Sequence, residues 1–249
     1  ITGPNRADVE WRIVQRYVLA VLYYSTGGRG WTDQFNYLDE GLHECDWGGM
    51  NNGYDAMECN DEKEVVSINL WQNNLIGTIP REIASLNLTT LDFLSNKLQG
   101  SIPHELYTLT DISYLNLGYN DFTGTIASEL GAMDKLTYLM IDNNDMTGTI
   151  PPELGNLTQL TGWLSLEGNR LSGTIPESFA QLTNAVWIYF NYNNLNGSAE
   201  FLCDALVPNE APGKIDKNST TPLLELWADI DKVECSCCNC CPLVRDDQV

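Results

Sequence analysis

Residues 115–126 read Leu115-Asn116-Leu117-Gly118-Tyr119-Asn120-Asp121-Phe122-Thr123-Gly124-Thr125-Ile126, and this stretch decides the fold. Two leucines separated by one residue put two apolar side chains on one face of a short strand. An asparagine, a further apolar residue, a glycine and an isoleucine then follow in order. Aligned on L-x-L-x-x-N-x-L-x-G-x-I-P, the chain repeats from Ile68, Leu91, Leu139, Leu164 and Ile188 as well. Its asparagines are Asn73, Asn96, Asn120, Asn144, Asn169 and Asn193, with successive spacings of 23, 24, 24, 25 and 24 residues. Near-constant self-similarity at a period of about 20–29 residues predicts a solenoid in which each coil stacks on the next.

Each position of the coil has a physical task. The asparagine turns inward after the strand, where its amide can donate to and accept from backbone groups of neighbouring coils. A stack of such amides satisfies turn groups that would otherwise be buried unpaired. The next apolar residue (Leu75, Leu98, Phe122, Met146, Leu171, Leu195) fills the core. Gly77, Gly100, Gly124, Gly148, Gly173 and Gly197 permit tight backbone geometry. Ile79, Ile102, Ile126, Ile150 and Ile175 return to the core, and Pro80, Pro103, Pro151 and Pro176 set an extended turn.

The Gly-x-Ile-Pro element makes the chain resemble plant-type extracellular leucine-rich-repeat proteins, namely receptor-kinase ectodomains and polygalacturonase-inhibiting proteins. The resemblance covers about residues 31–200. It implies an α/β solenoid: a right-handed leucine-rich-repeat superhelix with a concave parallel β-sheet, a helical N-cap and a Cys-rich C-cap. The expected organisation is an N-terminal cap over 1–64, six repeats over 65–200 and a Cys-rich cap over 201–249. Three departures stand out. Ala127 replaces the proline of the third coil, the fifth coil carries an extra residue near Gly162-Trp163, and the motif fails at Gly197-Ser198-Ala199-Glu200, where the array is expected to end.

A solenoid exposes core at both ends, and each end needs a lid. Residues 8–25 predict an amphipathic helix with Val9, Ile13, Tyr17, Val21 and Leu22 inward, Arg12, Gln15 and Arg16 outward, Asp8 as N-cap and Gly27-Gly28 as the stop. The segment Cys45-Asp46-Trp47-Gly48-Gly49 resembles the Cys-x-Trp-x-Gly cap of the same family, widened by an insertion, and implies a Cys45–Cys59 disulfide. Its loop of 13 intervening residues (59 − 45 − 1) corresponds to ~3 kcal/mol of loop-closure entropy. The remaining cysteines, Cys203, Cys235, Cys237, Cys238, Cys240 and Cys241, allow fifteen disulfide pairings between them. A zinc or iron–sulfur site is the rival reading for that cluster.

The eight cysteines lie outside the repeats, which points to disulfide caps and an oxidising compartment. The acceptor sequences at Asn87, Asn156, Asn196 and Asn218 agree with N-glycosylation and a secreted chain at a cell surface, wall or matrix. A start at Ile1-Thr2-Gly3-Pro4, with no signal-peptide pattern, fits a processed N-terminus. With 34 acids against 13 bases the net charge is −21, which repels nucleic acid and anionic membranes. No stretch of about 20 apolar residues is available to span a bilayer.

Chemistry has little to build on. His43 and His104 are the only histidines, and no nucleophile elbow or phosphate loop accompanies them. Neither an enzyme, a cofactor nor a metal site is expected. The informative feature is the strand face that the core does not use. The residue before each Leu-x-Leu runs Ser67, Thr90, Tyr114, Tyr138, Trp163, Trp187. With strands ~4.8 Å apart, its four consecutive aromatics predict a ladder about 14 Å long. The middle strand position adds Asn116 and Tyr189, and positions after the strand add Trp71, Tyr119, Asp142, Glu167 and Tyr192. Aromatics beside polar groups suit a protein or peptide partner, and flat rings also stack on sugars. Against this, tyrosines before Leu-x-Leu could merely shield the strands. Thr78, Ser101, Thr125, Thr149, Thr174 and Ser198 form a second array of hydroxyls, whose simplest reading is Thr–Thr strand pairing. The expected function is an extracellular recognition module for a protein, peptide or glycan, without catalysis. The alternatives are a self-assembling structural glycoprotein of a wall, matrix or filament, and an inhibitor of a secreted hydrolase.

Overall fold

In a computed structural model, which describes residues 6–51, 54–206, 225–228 and 232–235, the L-x-L segments are short parallel strands and the inward leucines are enclosed. Leu115 and Leu117 are buried, as are Leu75, Leu98, Phe122, Met146, Leu171 and Leu195 at the position behind each asparagine. The chain divides into two units, residues 1–123 and 124–249.

In the first unit, strands Val65–Asn69, Thr90–Asp92 and Tyr114–Asn116 pair in parallel, with Ser67, Thr90 and Tyr114 in one row and Asn69, Asp92 and Asn116 in another. A second set, Ile76–Gly77, Lys97–Gly100 and Asp121–Phe122, closes the coils on the other side. Single-turn helices at Arg81–Ser85 and His104–Thr108 complete them. The asparagines sew coil to coil. Asn120 Nδ2 donates to Phe93 O at 2.9 Å, and Asn120 Oδ1 accepts from the Leu98 N–H at 3.0 Å. Asn96 treats Leu70 O and the Leu75 N–H in the same way. Asn73 reaches back into the cap, with Asp33 supplying both its N–H and its carbonyl.

The N-terminal cap departs from expectation in its helix. Helix α1 spans Arg6–Ser25, so Asp8 lies inside it and is not its N-cap. The inward side chains are Gln15, Val18, Leu19, Leu22 and Tyr23, whereas Ile13 and Tyr17 are exposed. The cause is polar. Gln15 Oε1 accepts the Val65 N–H at 2.6 Å, and its Nε2 donates to Lys63 O at 3.4 Å. The Gln15 amide thereby pairs an N–H at the start of strand Val65–Asn69 that burial would otherwise leave unsatisfied, at a cost of about 1–3 kcal/mol. Arg12 and Arg16 are drawn down as well, onto the buried Glu44 carboxylate. Burial alone would raise the Glu44 pKa, but the hydrogen bond and charge of Arg16, with Arg12, hold it below the ordinary value of 4.5. Gly27, in the left-handed region, ends the segment as predicted. Strand Met57–Cys59 joins the sheet antiparallel to Val65–Asn69, and the Cys45–Cys59 disulfide is formed. An aromatic cluster of Tyr23, Trp31, Tyr37 and Trp47 fills the cap.

In the second unit, strands Tyr138–Met140, Trp163–Ser165 and Trp187–Tyr189 pair in parallel, and a fourth strand, Glu225–Trp227, extends them. On the other side run Thr147–Thr149, Arg170–Thr174, Asn194–Ser198 and Val233–Glu234. The array therefore does not end at Gly197. Leu226 and Ala228 are buried like a Leu-x-Leu pair, so residues past 200 supply the two strand segments of a further, incomplete coil. Asn169 and Asn193 repeat the amide bridging, to Ile141 O and Leu166 O. Ala127 keeps the extended backbone of the prolines it replaces: φ −78, ψ 141, against −73 and 141 at Pro80. Helix α2 spans Glu200–Leu206.

The hydroxyl array differs from a Thr–Thr ladder. Thr149 pairs with Ser172, and Thr174 with Asn196, a register offset from the repeat-equivalent residue. Each threonine instead lays its methyl against the glycine of the next coil. A β-carbon on Gly173 would lie 3.1 Å from Thr149 Cγ2, and one on Gly197 would lie 3.0 Å from Thr174 Cγ2. Those glycines also hold positive φ, at 82° and 89°. The Gly-Thr pair is thus a packing device.

Of the C-terminal cysteines, Cys203 lies in α2 and Cys235 is disulfide-bonded. Cys237, Cys238, Cys240 and Cys241, and the acceptor Asn218, lie outside the described residues. The acceptors Asn87, Asn156 and Asn196 are exposed.

Candidate recognition face

The row before each L-x-L strand carries the aromatics in both units, and the backbone aims them away from the core by strand alternation. In the second unit Trp163 and Trp187 are register partners. Their rings meet edge to face with centroids 5.6 Å apart, and Trp163 remains 42% exposed. Tyr138 is half-buried because its ring lies over Gly162, where a β-carbon would come within 2.2 Å of the ring. The extra residue of the fifth coil is therefore accommodated by a glycine that gives Tyr138 its seat. In the middle row, Met140 and Ser165 are buried, while Tyr189 packs edge to face on Trp227 at 6.3 Å. Trp227 was missed by the sequence reading. The signal was present as Leu226-Trp227-Ala228, but that triplet lacks the asparagine and glycine that marked the other coils.

Asp142 and Glu167 are half-buried. Burial pushes the Asp142 carboxyl up, opposed by hydrogen bonds from Asn143 and Ser165. Tyr192 is 61% exposed and, in the first unit, Tyr119 is 54% exposed. Both hold φ near +55°, as do Gln72, Ser95 and Asn143 at the equivalent position before the repeat asparagine, where the fifth coil has Gly168. A bulky residue in that region is strained by about 1–2 kcal/mol relative to glycine.

In the first unit the face is more polar. Asn69, Asp92 and Asn116 each accept the N–H two residues on, from Trp71, Leu94 and Gly118. Asn116 is buried, and its amide also donates to the Tyr114 hydroxyl, which donates to Asp92 Oδ2 at 3.3 Å. Asp92 is buried too, and that burial raises its pKa against the hydrogen bonds from Leu94, Tyr114 and Asn116. Trp71 is half-buried at the side of a cavity of about 460 Å³ that also takes in Tyr114. His43 caps a short helical turn, its Nδ1 accepting the Cys45 N–H, and His104 is exposed. Among the described residues no group of three His, Cys, Asp or Glu side chains is arranged to hold a metal ion. No described helix is long and apolar enough to cross a membrane.

Comparison with known proteins agrees with this geometry. The Leucine Rich Repeat family matches residues 87–109, 135–157 and 163–182. Over 53 residues the chain is 38% identical to the receptor-like protein 9DC1 of Solanum pimpinellifolium. That match takes in 21% of this chain and 6% of the relative, so the chain spans only a small part of that protein's length. A plant ice-binding protein superposes with a TM-score of 0.69 at 24% identity, over 92% of this chain and 72% of that one, a likeness of fold alone. One chain of the BIR3–SERK2 complex from Arabidopsis thaliana matches at TM-score 0.53 and 28% identity, over 71% of this chain and 94% of that one. The chain is a leucine-rich-repeat solenoid. Within that class it is similar to plant leucine-rich-repeat proteins of the receptor-like kind.

Proposed function

We propose that this chain is an extracellular, non-catalytic recognition module that binds a protein or peptide partner on the aromatic face of its second unit. The observation that carries this reading is the Trp163–Trp187 pair, stacked edge to face yet with Trp163 left 42% exposed. Exposed tryptophans and tyrosines are over-represented among residues that dominate binding energy. Tyr192 adds to it: Gly168 occupies the same backbone position at no steric cost, so the fold itself does not call for an exposed tyrosine there. The BIR3–SERK2 structure, similar at 28% identity, is itself a complex. The disulfides, the exposed acceptors Asn87, Asn156 and Asn196, and the receptor-like relative support an extracellular location.

The test is to screen the protein against a displayed peptide library and a glycan array, then repeat the hits with Trp163→Ala and Trp187→Ala. Loss of the hits with an unchanged unfolding midpoint supports this face. Hits that survive both substitutions sink it. Hits confined to glycans would move the partner class to polysaccharide, and concentration-dependent polymers in sedimentation would favour the structural alternative.

A further inference from the structure

The first unit holds a cavity of about 460 Å³ on its strand face, within the ~300–1,000 Å³ range of small-ligand sites. Its floor is the sheet itself. Glu58 is the register partner of Ser67, and Ser67 pairs onward with Thr90 and Tyr114, so these four share one row. Asn69 and Asp92 pair in the next row. The antiparallel strand Met57–Cys59, fastened by the Cys45–Cys59 disulfide, brings Glu58 to one side, and Asp55 joins it. Trp71 and Tyr114 supply aromatic surface.

The polarity of this lining is one-sided. Three carboxylates, Asp55, Glu58 and Asp92, line the cavity, and none of the lining side chains is basic. Asp92 is only 8% exposed and its partners are neutral: the Leu94 N–H, the Tyr114 hydroxyl and Asn116. A largely desolvated carboxylate is favoured in its charged form by a cation beside it, beyond what neutral donors provide. A metal ion has no ligand set here, because among the described residues no three His, Cys, Asp or Glu side chains converge. A planar, delocalised cation fits better. A guanidinium can pair with carboxylates on its edge while its face lies on indole or phenol, a combination an ammonium point charge does not reproduce.

We propose that this cavity receives the guanidinium of an arginine side chain carried by a peptide or protein partner. Glu58 and Asp92 are its charge partners, and Trp71 and Tyr114 are its aromatic walls. The site is built from first-unit residues alone and the Trp163–Trp187 pair from second-unit residues alone, so each reading is tested by its own substitutions.

The test uses the whole protein and the probe acetyl-Gly-Arg-Gly-amide, followed by NMR at low ionic strength. The same peptide with citrulline, an uncharged isostere, is the control. Saturable shifts are expected at the Trp71 indole, with the citrulline peptide at least about tenfold weaker. Glu58→Gln, at an exposed position, and Asp92→Asn should each weaken the arginine peptide several-fold, and about 0.5 M salt should weaken it further. Trp163→Ala should leave it unchanged. Equal binding of the citrulline peptide overturns the proposal. So does indifference to Glu58→Gln and Asp92→Asn together, or a Trp71 response to maltotriose or calcium chloride that the arginine peptide does not produce.

Discussion

Removal of the Asn120 amide isolates the interaction that joins one coil to the next. Asn120 is 8% exposed. Its Oδ1 accepts the Leu98 N–H at 3.0 Å, and its Nδ2 donates to Phe93 O at 2.9 Å, both in the preceding coil. Longer bonds run to Leu117 O and Gly118 O in its own turn. Asn120→Ala leaves the Leu98 N–H buried without a partner and takes from Phe93 O one of its two amide donors, Asn96 Nδ2 remaining at 2.9 Å. An orphaned buried donor costs about 1–3 kcal/mol, so the expected loss is about 2 kcal/mol, more than the net worth of an ordinary hydrogen bond. Urea unfolding, followed in parallel by far-ultraviolet circular dichroism and tryptophan fluorescence, measures it. Asn120→Asp sharpens the test. An aspartate keeps the acceptor for Leu98 but places a negative charge against three carbonyls. Its pKa should rise, and protonation restores one donor. A folded pKa above the unfolded one means stability lost as pH rises through the folded value, so this variant should gain on acidification relative to Asn120→Ala. A loss below about 1 kcal/mol for Asn120→Ala, or an aspartate variant that worsens in acid relative to the alanine one, would refute the claim that this amide is a structural bridge.

Ala127→Pro should raise stability by about 0.4–1 kcal/mol, since Ala127 already holds the backbone of Pro80 and Pro103 and proline restricts only the unfolded chain; a lower urea midpoint would contradict it. Glu44 is depressed in the folded state, so its contribution is present above the ordinary value of 4.5 and lost as pH falls through the lower folded value. The stability gap between the wild type and Glu44→Gln should therefore be wide at pH 7 and narrow towards pH 3, and a gap that widens in acid would show that the arginines do not stabilise the carboxylate.

The repeat was legible because its tasks are local and periodic. Leu115, Leu117, Asn120 and Phe122 each solve a problem that recurs in every coil, so spacing alone was enough to place them inside. The N-terminal helix was less legible. Hydrophobicity argued for Ile13 and Tyr17 inward, but the decisive partners, the Val65 N–H and Glu44, lie 50 and 28 residues away from Gln15 and Arg16. No local pattern reports a distant unpaired backbone group. Trp227 escaped for a related reason: Leu226-Trp227-Ala228 keeps only the strand part of the motif, without the asparagine and glycine that mark the other coils.

Sequence alone therefore determined the solenoid, its inward residues and the outward row of aromatics, because each follows from a period and from the alternation of a strand. Tertiary structure decided which outward residues are available. It engaged Asn116 in its own turn, seated Tyr138 on Gly162 and offset the threonines onto glycines. It also gathered Asp55, Glu58, Asp92 and Trp71 around one cavity. Exposure depends on what the neighbouring strand and the cap place beside a residue, and only the register of the folded chain sets that.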